Sequence, residues 1–417
     1  MGISLSLTGV IQGLSIVTES IFRPFFGILC DKTGRRDLIL TLSLIFYAVP
    51  ITALSLVYLN TSNSNISEIA TGNSSLQFDA ANPTSTGYNL SLSFWIVLVL
   101  SCIGAVFRGP SFSLADATVY DILGKAHSHL WGKQRLYGTV SWAVYALLLG
   151  YFLDVVDNYL IILITFCAST IFGAVVLFFF LPKESKHDLP MEKDIPFSQA
   201  FAKAISNKLF CLTCFISLVS GFLLGVETFL NSALLTDLNA PKRLFGLVTL
   251  VACLPEIPCL FYAGNVIKFL GETNIFILMF LAFAARFFVC CFITESNLWW
   301  ILPVQVLHVF CYGTFFAAST RLVTLITPKG TTSSVLSILG TCYLTIGMGG
   351  GMFLAPIPYE KMDQFNCFLM FTLICLFFTI FIIFLHFIYL KNTLKAVHKE
   401  VEALPKIEEE VEDDPMI

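Results

Sequence analysis

Long runs of apolar side chains interrupt this 417-residue chain at short intervals, and their length constrains its fold more than any other feature. Eleven stretches of roughly 17–27 residues are nearly free of charge, near 6–30, 38–58, 92–114, 137–153, 159–181, 209–236, 244–268, 275–293, 298–320, 332–354 and 366–389. At about 1.5 Å of rise per residue, each is long enough as a helix to cross a hydrocarbon layer of about 30 Å. Backbone polar groups in hydrocarbon must be satisfied within the segment, and runs apolar at every position cannot be the alternating strands of a barrel. The expectation is an all-α polytopic membrane protein of about eleven transmembrane helices. Apolar residues at 56%, charged residues at 12% and a mean hydropathy of +0.82 suit a chain whose main solvent is lipid.

Several function classes fall away on composition. A net charge of −4 offers no basic surface for nucleic acid. The six histidines and thirteen cysteines show no zinc spacing, so neither a metal nor a cofactor is expected. Nearly all the cysteines lie inside apolar spans, Cys211 and Cys214 included, and read as small apolar residues rather than a redox pair. No H-E-x-x-H or G-x-S-x-G is present, which argues against an intramembrane hydrolase or any other enzyme.

Two signals set the orientation. The N-x-S/T acceptors Asn60, Asn65, Asn73 and Asn89 all fall in one polar loop, 59–91, which lacks Lys and Arg, so this loop is expected outside and glycosylated. Alternation then places 31–37, 124–136, 182–208, 268–274 and 321–330 inside, where most of the loop Lys and Arg lie, as the positive-inside rule requires. Met1 is expected outside and the tail from Lys391 in the cytosol, with its acidic end from Glu408 to Asp414 disordered. The myristoylation-like start is discounted because that modification needs a cytosolic N-terminus, and no cleaved signal is visible. Glycosylation implies the secretory route, leading to the plasma membrane or an endolysosomal membrane.

The longest inside loop divides the chain. A five-span N-terminal bundle is expected over 1–181, a charged cytosolic linker over 182–208, a six-span bundle over 209–390 and the acidic tail over 391–417. The halves share a pattern: Glu19, Gly27 and Gly34 in the first, and Glu256, Gly264 and Gly271 in the second, are spaced by the same eight and seven residues. Prolines accompany both sets (Pro24; Pro255 and Pro258), as related helices of a repeated transporter half would show.

The run Gly27-Ile28-Leu29-Cys30-Asp31-Lys32-Thr33-Gly34-Arg35-Arg36 resembles the signature loop of the major facilitator superfamily, G-x-L-x-D-x-x-G-R-R/K, which follows the second transmembrane helix. Further blocks are similar to the branch called major facilitator superfamily domain-containing protein six, and more distantly to nucleoside–proton symporters and lactose permease. They are Leu114-Ala115-Asp116, Gly132 to Gly138 leading to Trp142, Pro255 to Pro258, Gly264 to Gly271, and Ala285-Arg286-Phe287. The resemblance runs from about residue 2 to 390 and implies that the spans correspond to helices two to twelve, with the first helix missing. It implies secondary transport of a small polar solute by alternating access, possible H+ coupling, and lipid as the surrounding partner. The alternative is a receptor or scaffold that keeps the fold without transporting; the glycosylated loop and the missing helix suit it.

Charges inside apolar spans cost about 2.5–3.5 kcal/mol each on insertion scales and so mark candidate sites. They are Glu19, Arg23, Arg108, Glu227, Glu256 and Arg286, with His308 titratable and Asp116, Asp121 and Arg321 nearer the inner ends. Glu19 and Arg23 are four apart on one helix face, where an intrahelical pair is the simpler reading. Glu227 can pair with Arg286 across helices or contact solute. Glu256, flanked by prolines that free backbone carbonyls, has no local partner in sequence and is the leading candidate for protonation or solute contact. Leu307-His308-Val309-Phe310 resembles the stretch around the coupling histidine of lactose permease, but Cys311 stands where that protein has a coupling glutamate. A thiol substitutes poorly for a carboxylate, so Glu256 is the better proton carrier, and His308 serves either transport or a hydrogen bond between helices. If the family's packing applies, Asp31, Arg35 and Arg36 lie beside Asp116, Asp121 and Arg135 and form an inner gate, unless the basic ones serve orientation alone.

Overall fold

With no water to pair with in hydrocarbon, backbone groups turn inward on their own segment, and the chain is helical almost throughout. The computed structural model describes residues 5–33, 35–70, 94–109, 115, 118–119, 131–156, 158, 160–180, 205–326 and 332–402. Before the linker come α1 (Leu5–Thr33), α2 (Arg36–Ala70), α3 (Phe94–Gly109), α4 (Trp131–Val156) and α5 (Leu160–Phe180). After it come α6 (Lys208–Asp237), α7 (Lys242–Phe261), α8 (Ala263–Leu270), α9 (Glu272–Cys290), α10 (Ile301–Gln305), α11 (His308–Cys311), α12 (Gly313–Ile326) and α13 (Thr332–Gly340). The chain continues through a π-helical stretch, Thr341–Gly349, into α14 (Gly350–Leu354), α15 (Pro356–Lys361), α16 (Gln364–Leu385) and α17 (Lys391–Glu402). Among the described residues nine helical spans are long and apolar enough to cross a membrane, and none is a strand. The chain is an integral, multi-pass membrane protein.

Three spans depart from the uninterrupted runs expected. That near 298–320 is broken: a 3-10 turn at Glu295–Trp300 precedes α10, α11 and α12, and Tyr312 leaves helical geometry (φ −122°, ψ −74°) between the last two. Pro303, which lacks a backbone donor, and Gly313, a weak helix former, stand in this run. That near 244–268 splits at Tyr262, one turn after Pro258 and two turns after Pro255, each of which removes a backbone donor. Gly271 ends α8 with φ +77°, a conformation glycine adopts without strain. In the third, α2 continues to Ala70, so the region expected to be a loop from residue 59 begins as helix.

The densest packing lies after the linker, where Phe276, Phe280, Phe283 and Phe287 of α9 bury with Phe315 of α12, Tyr343 and Phe368 of α16. Glycines let α6 approach the π-helical stretch until backbones touch. A Cβ at Gly221 would lie 2.0 Å from the Tyr343 carbonyl oxygen, and one at Gly225 would lie 2.2 Å from that of Met348.

Helices from the two sides of the linker also meet. A Cβ at Gly246 of α7 would fall 2.4 Å from the carbonyl oxygen of Ala146 on α4, and one at Gly13 of α1 would fall 2.8 Å from Cβ of Phe353 on α14. Next to the first contact, Asp154 of α4 accepts hydrogen bonds from the backbone N–H groups of Lys242 (2.6 Å) and Arg243 (2.9 Å). A carboxylate from one helix thus satisfies the first orphan donors of another and complements its dipole.

Candidate functional site

Two clusters of charge lie within the membrane spans, one on each side of the linker. In the first, Glu19 projects from the middle of α1, and Arg23, one turn on, reaches its Oε1. Glu19 Oε2 accepts from Arg108 Nε of α3 at 2.7 Å. Gly109 is required beside them: a Cβ there would lie 2.6 Å from Glu19 Cγ. Glu19 is buried, whereas the Arg108 side chain remains 47% exposed.

In the second cluster Glu227 of α6 pairs with Arg286 of α9, and both side chains are only 4% exposed. Asn231, one turn along α6, donates from Nδ2 to Glu227 Oε1 at 2.8 Å, and the Cys290 thiol donates to Asn231 Oδ1 at 3.6 Å. Arg286 also donates to Gln305 Oε1 of α10 and stands 3.0 Å from His308 Nδ1 of α11. If that Arg N–H donates, His308 carries its proton on the other nitrogen. His308 stacks on Tyr312, which in turn faces Phe316 and Tyr343. Four short or long helical elements therefore converge on one guanidinium, and α10 and α11 can aim Gln305 and His308 at it because the span is broken there.

Glu256 is a further buried carboxylate. It is buried on α7, packed where a Cβ on Gly313 would meet its Cγ at 2.8 Å and its Oε1 at 3.1 Å, so the absence of a side chain at the start of α12 makes room for the carboxylate. Arg321 is partly buried in α12. Of the inner-gate residues, Arg35 is exposed; the side chains of Asp31, Arg36 and Arg135, and the whole of Asp116 and Asp121, lie outside the described residues. Asn73 and Asn89 and the side chains of Asn60 and Asn65 lie outside them too.

Sequence reasoning passed over three polar participants. Asn231 follows Glu227 by one helical turn and Gln305 precedes His308 by three residues, so periodicity around the charged positions could have found both. Nothing local marks Asp154, whose partners lie on another helix. Among the described residues no group of His, Cys, Asp and Glu is arranged to hold a metal.

Comparison with known proteins places this geometry. Residues 1–373 match the MFS_1 like family. A curated relative, the uncharacterized transporter YwbF of Bacillus subtilis (strain 168), is 22% identical over 373 residues, covering 88% of this chain and 82% of its own. A mutant of the nucleoside transporter NupG shares the fold with a TM-score of 0.69 at 12% identity, over 91% of this chain and 90% of that one. The D-xylose-proton symporter matches with a TM-score of 0.63 at 14% identity, over 91% and 87%.

Proposed function

We propose, from the premise that this chain belongs to the MFS_1 like family and is a transporter of the major facilitator type, that it carries a small polar solute across its membrane by alternating access with proton coupling. No bond is made or broken in such a cycle; the protein is a transporter and not an enzyme. The finer resemblance, to the branch called major facilitator superfamily domain-containing protein six, belongs to the same reading, as do the two-bundle division at 182–208 and the orientation with 59–91 outside.

The observation that carries the reading is the pair of membrane-buried charge clusters on opposite sides of the linker. Charges kept there against their insertion cost mark solute and proton pathways. Glu227 is coupled to Arg286 and through it to His308, so a proton on this carboxylate would release the guanidinium toward Gln305 and His308. It supplies from another helix the carboxylate that the lactose-permease-like stretch lacks at Cys311. Glu256 is the second candidate carrier. The contacts at Gly150, Gly246 and Asp154 join α4 to α7 across the linker, at the face assigned outside, and would have to part when the cavity opens to that side. That the structural neighbours are named as a nucleoside transporter and a xylose–proton symporter favours a small polar solute and a proton.

Uptake of labelled nucleosides, sugars and amino acids into cells making the chain tests this, beside Glu227→Gln and Glu256→Gln at matched surface level. Saturable uptake driven by an inward proton gradient, with the gradient dependence lost in one of the two variants, identifies the coupling carboxylate. Normal surface expression with no uptake of any probe removes the transport reading and favours a receptor or scaffold.

A further inference from the structure

Among the described residues the cluster on α1 and α3 is not electrically balanced. Two guanidiniums, Arg23 and Arg108, share the carboxylate of Glu19, one on each of its oxygens, which leaves one positive charge in excess within this described set. The cluster on α6 and α9 pairs one carboxylate with one guanidinium, and both are all but closed to their surroundings. Exposure follows the same division: Arg108 is 47% and Arg23 25% exposed, against 4% for Arg286.

We infer that the solute this protein carries bears an anionic group, a carboxylate or a phosphate monoester, and that Arg108 with Arg23 receives it. This deepens the transport reading above and rests on it. Glu19 engages Nε and Nη2 of Arg108, and Tyr47 of α2 lies within hydrogen-bonding reach of the same guanidinium, so an anion docking there meets the arginine together with a phenol hydroxyl. The Nε of Arg23 is buried without a hydrogen-bond partner. Gly109 packs against Glu19 Cγ and its carbonyl oxygen, so the carboxylate holds both guanidiniums in place. A guanidinium held on one side by a carboxylate and half exposed on the other suits recognition of a carboxylate or phosphate. The excess charge then disappears when the solute is bound and returns when it leaves, so the empty and loaded clusters differ electrically within the membrane. The second cluster, neutral and closed, has no room for this exchange, which assigns solute recognition to α1 and α3.

The test uses the full chain in proteoliposomes with five labelled probes: uridine and xylose as neutral solutes, lactate and pyruvate as carboxylates, and glycerol 3-phosphate as a phosphate monoester. The expected result is saturable uptake of an anionic probe, with KM raised about tenfold or more by Arg108→Gln and partly recovered in Arg108→Lys. Arg23→Gln leaves the Arg108–Glu19 pair intact but balanced, so it raises KM as well and decides the matter if Arg108→Gln does not fold. Carboxylate and phosphate probes compared in the same vesicles separate the two sources of charge. Saturable uptake of uridine or xylose alone, with KM indifferent to both substitutions, overturns the anion assignment while transport stands. Anion uptake with KM unchanged in both variants also overturns it, by placing recognition elsewhere. No uptake of any probe from any version removes the transport reading, and this inference with it.

Discussion

The two charge clusters use the same side chains to different ends. On α6 and α9, carboxylate and guanidinium match one to one, an amide and an imidazole complete the set, and the surroundings are a dense aromatic core. On α1 and α3 one carboxylate serves two guanidiniums, and the more exposed of them stands half open. The helices around them differ in the same sense: 67% of the apolar stretch of α6 is buried but only 11% of that of α5. A closed, balanced pair can change state by gaining a proton, whereas an open, unbalanced one can change by gaining a ligand. In the proposed cycle this contrast would divide coupling and recognition between the clusters.

The largest test of the contrast is Glu227→Ala. It strands Arg286 in a dry site and is expected to cost about 3–5 kcal/mol, seen as a lowered unfolding temperature in detergent. Replacing both partners, Glu227→Leu with Arg286→Met, is expected to recover most of the loss, because two apolar groups of similar size leave no buried charge. Equal loss in the single and double variants would show that the amide and imidazole contacts, rather than the ion pair, set the stability.

Next in size is Gly246→Val, which pushes a side chain into the Ala146 carbonyl where the two regions meet. Overpacking of this kind costs about 1–3 kcal/mol, and here it is expected to act on the closed arrangement. Faster labelling of a cysteine placed at Leu147 would register the parting of α4 from α7; unchanged labelling would mean that the contact does not open. Asp154→Ala acts at the same place with a smaller effect, about 1 kcal/mol, because it removes a cap without adding bulk.

Smaller still is the stability effect of Arg108→Gln. The side chain is half exposed and its ion pair screened, so unfolding is expected to shift by less than about 1 kcal/mol while solute affinity changes greatly. A stability loss as large as that of Glu227→Ala would erase the distinction between the clusters.

The smallest expected effect lies outside both. Asp363 caps α16, and hydrogen bonds from the Asn366 side chain and backbone hold its carboxyl below the usual value. A depressed folded-state value means that the cap stabilises fully above the unfolded carboxylate pKa and loses its contribution as pH falls through the folded value. Asp363→Asn is expected to remove this acid-side dependence, as read in pH-dependent unfolding, and to leave neutral-pH behaviour almost unchanged.

Much of this was legible in the chain itself. The spans are, because uninterrupted apolar runs in lipid have one way to satisfy their backbones. Glu19 and Arg23 are, because i and i+4 share a helix face, and the same rule would have linked Asn231 to Glu227. The breaks at Tyr262 and Tyr312 were not read from the sequence, although Pro258 and Gly313 stand beside them. Helix ends near proline and glycine depend on which freed backbone groups find partners in neighbouring helices.

What the sequence determined by itself is therefore the solvent, the helices and the small set of charges that must be accounted for inside them. Only the tertiary structure decided how those charges are shared: Glu19 with two arginines, Arg286 with Glu227, and Asp154 with the N-terminus of α7. Spacing along the chain predicts neighbours on one helix. Partners on different helices are chosen by helix rotation and crossing, which depend on where glycines such as Gly109, Gly221 and Gly246 allow backbones to approach.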